Sequence, residues 1–385
     1  MASQRIDSLT GLRGIAALIV VIYHYTGGFL PNLDLTEYTL FVRKGYLWVD
    51  LFFLLSGFVI AHVYGPTFSR QVTWRTTGHF IVSRLARLYP LHITILAGFI
   101  ILELTRLWLE TKGFAEFRQS PFDEGRTIEA LLANVLMLHS IGLQSTLTWN
   151  GPAWSIGAEW FAYLAFPFVA ILLCQGHKRT KLAFLALSIG SLAAISKGGR
   201  DLDVTYDFGL WRCLAEFLLG LLIYRLYWRY HQTRHTGHDM VLLLLFAVTG
   251  WAMHVGWRDI LIIPLFTVLI IGLAHNKGRI ARVFSYRPMY GLGAISYSVY
   301  MSHMLLLEIA NTISRVLSDR SFGSHFDQNQ SIGILFLMTF LVLAVSGLLY
   351  CGIEKPARRA IRKSALVRKL SRETVQSPLH NSRTG

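Results

Sequence analysis

A helix needs about 20 mainly apolar residues to cross a hydrocarbon core of roughly 30 Å, and this chain offers such a run ten times. The candidates are Leu12–Leu30, Tyr46–Tyr64, Leu88–Trp108, Trp154–Cys174, Leu182–Ser196, Phe208–Trp228, Met240–His254, Ile260–His275, Leu292–Leu317 and Ile332–Ile353. Leu182–Ser196 and Met240–His254 are short for the task. A further apolar stretch, Ala130–Leu143, ends in a His, Gly and Ser cluster and reads as interfacial or re-entrant. The pattern predicts an all-α, polytopic membrane protein of about ten transmembrane helices. Composition agrees: 53% of the residues are hydrophobic and 15% charged, against about 25% charged in soluble domains. These figures exclude a disordered chain, a collagen-like repeat and a disulfide scaffold. The three cysteines, Cys174, Cys213 and Cys351, have no metal or redox spacing.

The net charge of +15 would suggest nucleic acid in a soluble chain, but its distribution follows the spans. Short cytoplasmic loops collect Lys and Arg. With the N-terminus inside, the cytoplasmic segments carry Arg70, Arg75, Arg84 and Arg87; Lys178, Arg179 and Lys181; Arg225, Arg229 and Arg234 against Asp239; and Lys277, Arg279, Arg282 and Arg287. The alternate loops are neutral or acidic. This alternation predicts ten spans with both termini in the cytoplasm and no nucleic-acid partner. The first apolar run lacks a small-residue cleavage site, so it reads as a span and not a signal peptide. The expected organisation is a transmembrane domain over residues 1–356 and a basic cytoplasmic tail over 357–385, lying on anionic lipid.

Ionisable groups inside spans are costly and are functional candidates by default. Arg13 and His24 are eleven residues apart, about 20° beyond three full turns and about 16 Å along the axis. One helix face therefore carries both, and one cavity could contain them; a snorkelling Arg and a His bonded to a neighbouring helix is the alternative. Asp50, near the outer end of the second span, needs a partner or water. Ser56-Gly57 in mid-span suits close helix approach. Arg84 and Arg87 share a face at i and i+3, either as ordinary inside-facing charge or as a guanidinium pair for a phosphate. Glu159 lies five residues beyond Trp154 in the fourth span, and Tyr300 and His303 stand at i, i+3 in the ninth. Glu216, Glu308 and Glu354 complete the boundary acids. No nucleotide loop, HExxH or GxSxG is present, and no histidine pair has metal-ligand spacing, so no metal is expected.

Six segments in order, IDSLTGLRGIAALIVVIYHY, VDLFFLLSGFVIAHVY, SRLARLYP, PAWSIGAEWFAYLAFP, ISYSVYMSH and IEKPARR, resemble the acyltransferase-3 family of integral membrane O-acyltransferases along nearly the whole chain. The resemblance implies a ten-helix domain of a bacterial plasma (inner) membrane. It implies transfer of an acyl group, commonly acetyl, from cytoplasmic acyl-coenzyme A to a hydroxyl of a carbohydrate such as exopolysaccharide, lipopolysaccharide or lipo-oligosaccharide. The chain is similar to the stand-alone members. On that reading His24 acts as base or nucleophile, with Arg13, Glu159 and Asp50 completing the catalytic set. Arg84, Arg87 and Arg13 receive the polyanionic donor. Trp154, Ser155, Tyr300 and His303 contact substrate, and the acceptor is carbohydrate, free or lipid-linked. A transporter or flippase is the competing reading, but no inverted repeat or matched pair of broken helices supports it. If the arginine pair binds the donor, Arg84→Ala/Arg87→Ala will raise KM for acyl-coenzyme A about 10-fold or more, as expected for losing charge-assisted contacts; steady-state kinetics at varied donor concentration reads this directly.

Overall fold

The computed structural model describes residues 5–70, 72–230, 238–364 and 367. Its thirteen α-helices are α1 (Asp7–Tyr25), α2 (Trp48–Arg70), α3 (Trp74–Thr111), α4 (Ile128–Val135), α5 (Trp154–Gln175), α6 (Lys178–Ile195), α7 (Gly209–Tyr230), α8 (Asp239–His254), α9 (Asp259–His275), α10 (Arg279–Ser285), α11 (Arg287–Ser318), α12 (Gln328–Leu349) and α13 (Lys355–Lys363). The described residues contain no β-strand. An all-helical chain is what a bilayer demands, because a helix satisfies its own backbone groups where water cannot.

Each of the ten apolar runs lies largely within a helix. Six helical segments are long and apolar enough to cross a membrane: Asp7–Tyr25, Arg43–Ser69, Trp74–Thr111, Gly151–Leu173, Arg287–Ser318 and Gln328–Lys363. A seventh is obtained if α9 and α10, bent by 93°, form one span. The stretch Ala130–Leu143 is helical only at its start, in the eight-residue α4. The chain then turns through Met137 at a positive φ of 57°. The expected domain boundary at residue 356 falls inside α13, which packs against α3; the tail from 368 onward lies outside the described residues.

Two backbone-to-backbone contacts organise the bundle. A Cβ on Gly14 of α1 would stand 2.7 Å from the Gly293 nitrogen of α11, and one on Gly293 would stand 1.9 Å from the Thr10 carbonyl oxygen. Likewise a Cβ on Gly57 of α2 would stand 2.0 Å from the Phe217 carbonyl oxygen of α7. Small residues at such crossings let helices approach closely where the solvent is itself apolar. Large apolar side chains such as Phe168, Trp211, Leu244, Phe336 and Leu348 stay exposed around the outside, as lipid-facing residues must.

Several buried charges are paired across helices. Asp50 and Arg212 are fully buried and meet through two hydrogen bonds, one from Arg212 Nε to Asp50 Oδ1 at 2.9 Å and one from Nη2 to Oδ2. Arg212 also donates to the Val204 and Tyr46 carbonyl oxygens at 3.0 and 3.3 Å. Glu103 and Glu308 share Arg106 and Arg126 in a closed ring joining α3, the following loop and α11. Breaking a buried pair leaves one charge uncompensated, at about 3–5 kcal/mol. Arg212→Ala should therefore sharply lower the thermal midpoint in detergent, whereas Asp50→Leu/Arg212→Met should lose less than either single loss of charge.

Candidate functional site

The α1–α11 contact determines what faces what. The two helices run parallel in space, and their glycines meet at Gly14 and Gly293. Ten residues further along each helix stand His24 and His303, carried equal distances by the same rise per residue. They meet: His303 Nε2 lies 3.2 Å from His24 Nδ1, with ring centroids 4.9 Å apart. Tyr25 donates to the His303 carbonyl oxygen at 2.8 Å and fixes the register.

Each histidine also places Nδ1 against the carbonyl oxygen one turn back, Val20 at 2.9 Å and Val299 at 3.2 Å. A carbonyl can only accept, so these contacts assign a proton to Nδ1 of both rings. Nε2 of His303 then receives a share of the His24 Nδ1 proton, and Nε2 of His24 is left with its lone pair available. This is the tautomer a general base requires.

The arginines occupy a separate cavity. A cavity lies between α1, α2, α3, α5 and α11, lined among others by Arg13, Arg84, Arg87, Glu159, Tyr163 and Tyr300. Arg84 donates to the Tyr64 hydroxyl at 2.9 Å and lies over the Tyr64 ring at 5.1 Å. Glu159 accepts from Tyr163 at 2.5 Å and from Ser56, and those two hydroxyls are 2.9 Å apart. Ser155 and Tyr300 share a hydrogen bond at 2.7 Å, and Tyr300 donates to the Pro152 carbonyl oxygen at 3.0 Å. The cavity thus combines three guanidinium groups with one carboxylate, an arrangement suited to an anionic ligand.

The shared helix face did not place Arg13 and His24 in one cavity. Arg13 lines the arginine cavity, but His24 does not. Their separation along α1 is about 16 Å; Phe52 and Tyr300, with ring centroids 6.0 Å apart, both line the arginine cavity. Tyr300 also reaches the histidine pair, since its ring is 6.0 Å from that of His303. A second depression is lined by Tyr23 and Thr26, near His24 in sequence, with Asp34, Thr36 and Arg43. The histidine pair contacts one lining residue of each: the His24 ring centroid is 4.9 Å from that of Tyr23, and the His303 ring centroid is 6.0 Å from that of Tyr300.

Other expectations land elsewhere. Asp50 is held by Arg212 and does not orient His24; two complementary charges in an apolar interior find each other. Glu159 likewise bonds Ser56 and Tyr163 instead of His24. Trp154 packs edge-on against Phe53 and lies 5.6 Å from the Arg212 guanidinium, outside the cavity lining. Ser56, Tyr163, Ser296 and Tyr297 are among the lining residues that spacing did not single out as ligand contacts. The repeated interval of ten residues between glycine and histidine in α1 and α11 would have foretold the histidine pair. Among the described residues no group of three or more His, Cys, Asp or Glu side chains could hold a metal ion.

Comparison with known proteins agrees with this architecture. The Acyltransferase domain (Acyl_transf_3) family matches residues 6–351, so the chain belongs to that family of acyltransferases. It is similar to the acyltransferase MdmB of Streptomyces mycarofaciens, 25% identical over 93% of this chain and 92% of that protein. A Rhizobium radiobacter protein named "Protein 2 in picA locus" is 30% identical over 49% of this chain and 92% of its own length. A Staphylococcus aureus (strain COL) protein named "Putative O-acetyltransferase SACOL0978" is 24% identical over 92% of this chain, which spans 57% of that relative. No solved structure matches.

The Glu159 cluster has a direct test. Tyr163→Phe removes one donor from a charged acceptor, a loss of about 1.5–3 kcal/mol. Because Ser56 bonds both groups, Ser56→Ala/Tyr163→Phe should depart from the sum of the single losses, read as thermal unfolding in detergent.

Proposed function

We propose that this multi-pass membrane acyltransferase moves an acyl group, most simply acetyl, from coenzyme A to a carbohydrate hydroxyl. The observation that carries the reading is the His24–His303 pair, whose rings contact Tyr300 of the arginine cavity and Tyr23 of the second depression. Ten spans with cytoplasmic termini in the plasma membrane of a bacterium complete the proposal. The arginine cavity then opens toward the cytoplasm and the second depression toward the far side.

Acyl-coenzyme A enters the arginine cavity, its phosphates drawn by Arg84, Arg87 and Arg13. The pantetheine arm carries the thioester past Phe52 and Tyr300 toward His24. The acceptor hydroxyl approaches from the opposite depression. His24 Nε2 takes the hydroxyl proton as the oxygen attacks the thioester carbonyl; the carbon–sulfur bond breaks, and the departing thiolate receives that proton from the imidazolium. His303 holds the His24 ring in the tautomer that leaves Nε2 unprotonated. Glu159 stays in the donor cavity as a partner of Ser56 and Tyr163, and Asp50 serves the fold through Arg212.

Direct transfer and a covalent acyl-histidine differ only in whether His24 Nε2 takes the proton or the acyl group. The proton path is favoured because both substrates can converge on one atom from two separate recesses. His24→Ala should therefore abolish transfer while leaving expression and the melting profile intact. His303→Ala should lower kcat about 10²-fold or more, within the range for impaired general base catalysis, and leave KM for the donor largely unchanged. Transfer of label from radiolabelled acetyl-coenzyme A to a glycan pool by the purified protein measures both variants. Normal incorporation in His24→Ala would remove the proposal, and label accumulating in vesicles without covalent transfer would favour a transporter.

A further inference from the structure

The arginine cavity and the histidine pair leave a larger concavity without a role. A groove of about 690 Å³ opens where the ends of α2, α5, α6 and α7 come together. Its cause lies in the helix crossing described above. At Gly57 and Gly220 the backbones of α2 and α7 touch, but at Gly65, two turns along, a Cβ would meet only the Tyr224 ring at 3.9 Å. The helices splay from their contact, and a groove forms between them.

The groove is sorted by polarity along its length. Ala61, Phe166, Ala170, Leu221 and Leu222 form its walls, while Lys181, Arg225 and Arg229 stand at its mouth. Among the described residues no acidic side chain lines it. Arg225 and Arg229 are one turn apart on the same face of α7. Between them Trp228 is 58% exposed, the setting of an interfacial tryptophan at headgroup level. From Leu221 to Arg229, or from Ala61 to Ser69, the helices advance about 12 Å. An aliphatic chain fits the walls, and a phosphate fits the mouth.

We infer that this groove is a docking site for an anionic phospholipid, its acyl chain lying along α2 and α7 and its phosphate held by Lys181, Arg225 and Arg229. The charge complementarity at the mouth selects an anionic headgroup over a zwitterionic one. The groove also lies behind the arginine cavity: Ala61 follows Ile60, and Phe166 lies one turn from Tyr163, both of which line that cavity. A bound lipid braces that wall.

Native mass spectrometry of the full chain tests the site, with phosphatidylglycerol and phosphatidylcholine of identical acyl chains added to the detergent-purified protein. The wild type should retain phosphatidylglycerol over phosphatidylcholine by at least about tenfold, given three basic side chains at the mouth. Lys181→Gln/Arg225→Gln/Arg229→Gln should bring the ratio to about one. Ala170→Trp fills the groove and leaves every charge in place, and it should lose the retained phosphatidylglycerol as well. If either variant does not fold by circular dichroism and gel filtration, Leu222→Trp narrows the same groove and replaces it. Four results overturn the inference: no preference in the wild type, an unchanged ratio in the triple variant, full retention in the groove-filling variant, or a dimer mass in place of bound lipid. Inorganic phosphate at millimolar concentration should not displace the lipid; displacement would assign the mouth to a free anion.

Discussion

The approach of α1 to α11 at Gly14 and Gly293 is the constraint on which the site depends. A side chain at either glycine would push the helices apart, because the neighbouring atoms are backbone and have nowhere to move. With the backbones in contact and the helices parallel, any two residues equally far from the glycines are brought level. His24 and His303 are such residues, and their contact is a consequence of register as much as of their own chemistry. The tautomer follows in turn, since each ring is backed by a carbonyl of its own helix. A distant packing choice thereby determines which nitrogen can take a proton.

Charge is handled in two different ways within one bundle. Asp50 with Arg212, and Glu103 and Glu308 with Arg106 and Arg126, neutralise one another across helices. An apolar medium makes an unpaired charge costly and a paired one tolerable. Around the arginine cavity the accounting differs: Arg13, Arg84 and Arg87 face a space that contains one carboxylate, itself bonded to two hydroxyls. The local excess of positive charge is the feature that separates a ligand-binding cavity from the structural pairs.

Much of this was legible in the sequence, and the legible part has a physical basis. Apolar runs long enough to span a bilayer must be helices, so the all-α architecture followed from hydropathy alone. Arg13, Arg84 and Arg87 stood out because guanidinium groups at span boundaries are costly and cluster for a reason, and they line one cavity. The roles suggested for Asp50 and Glu159 were not recoverable by the same reasoning. A carboxylate in a span requires a partner, but spacing along one helix does not identify it. Arg212 lies on α7, 162 residues from Asp50, and only the packing of α2 against α7 joins them.

The sequence by itself determined the class of the protein, its helical composition, the distribution of basic residues among its loops and the residues rich enough in chemistry to matter. These are properties of single segments, set by local hydropathy, helical period and side-chain type. The tertiary structure decided which of those residues meet: it paired His24 with His303, withdrew Asp50 into an ion pair, and put Arg13 but not His24 on the lining of the arginine cavity. Such relations depend on how helices distant in sequence cross, and a crossing is set by glycine contacts and side-chain volumes from both helices at once.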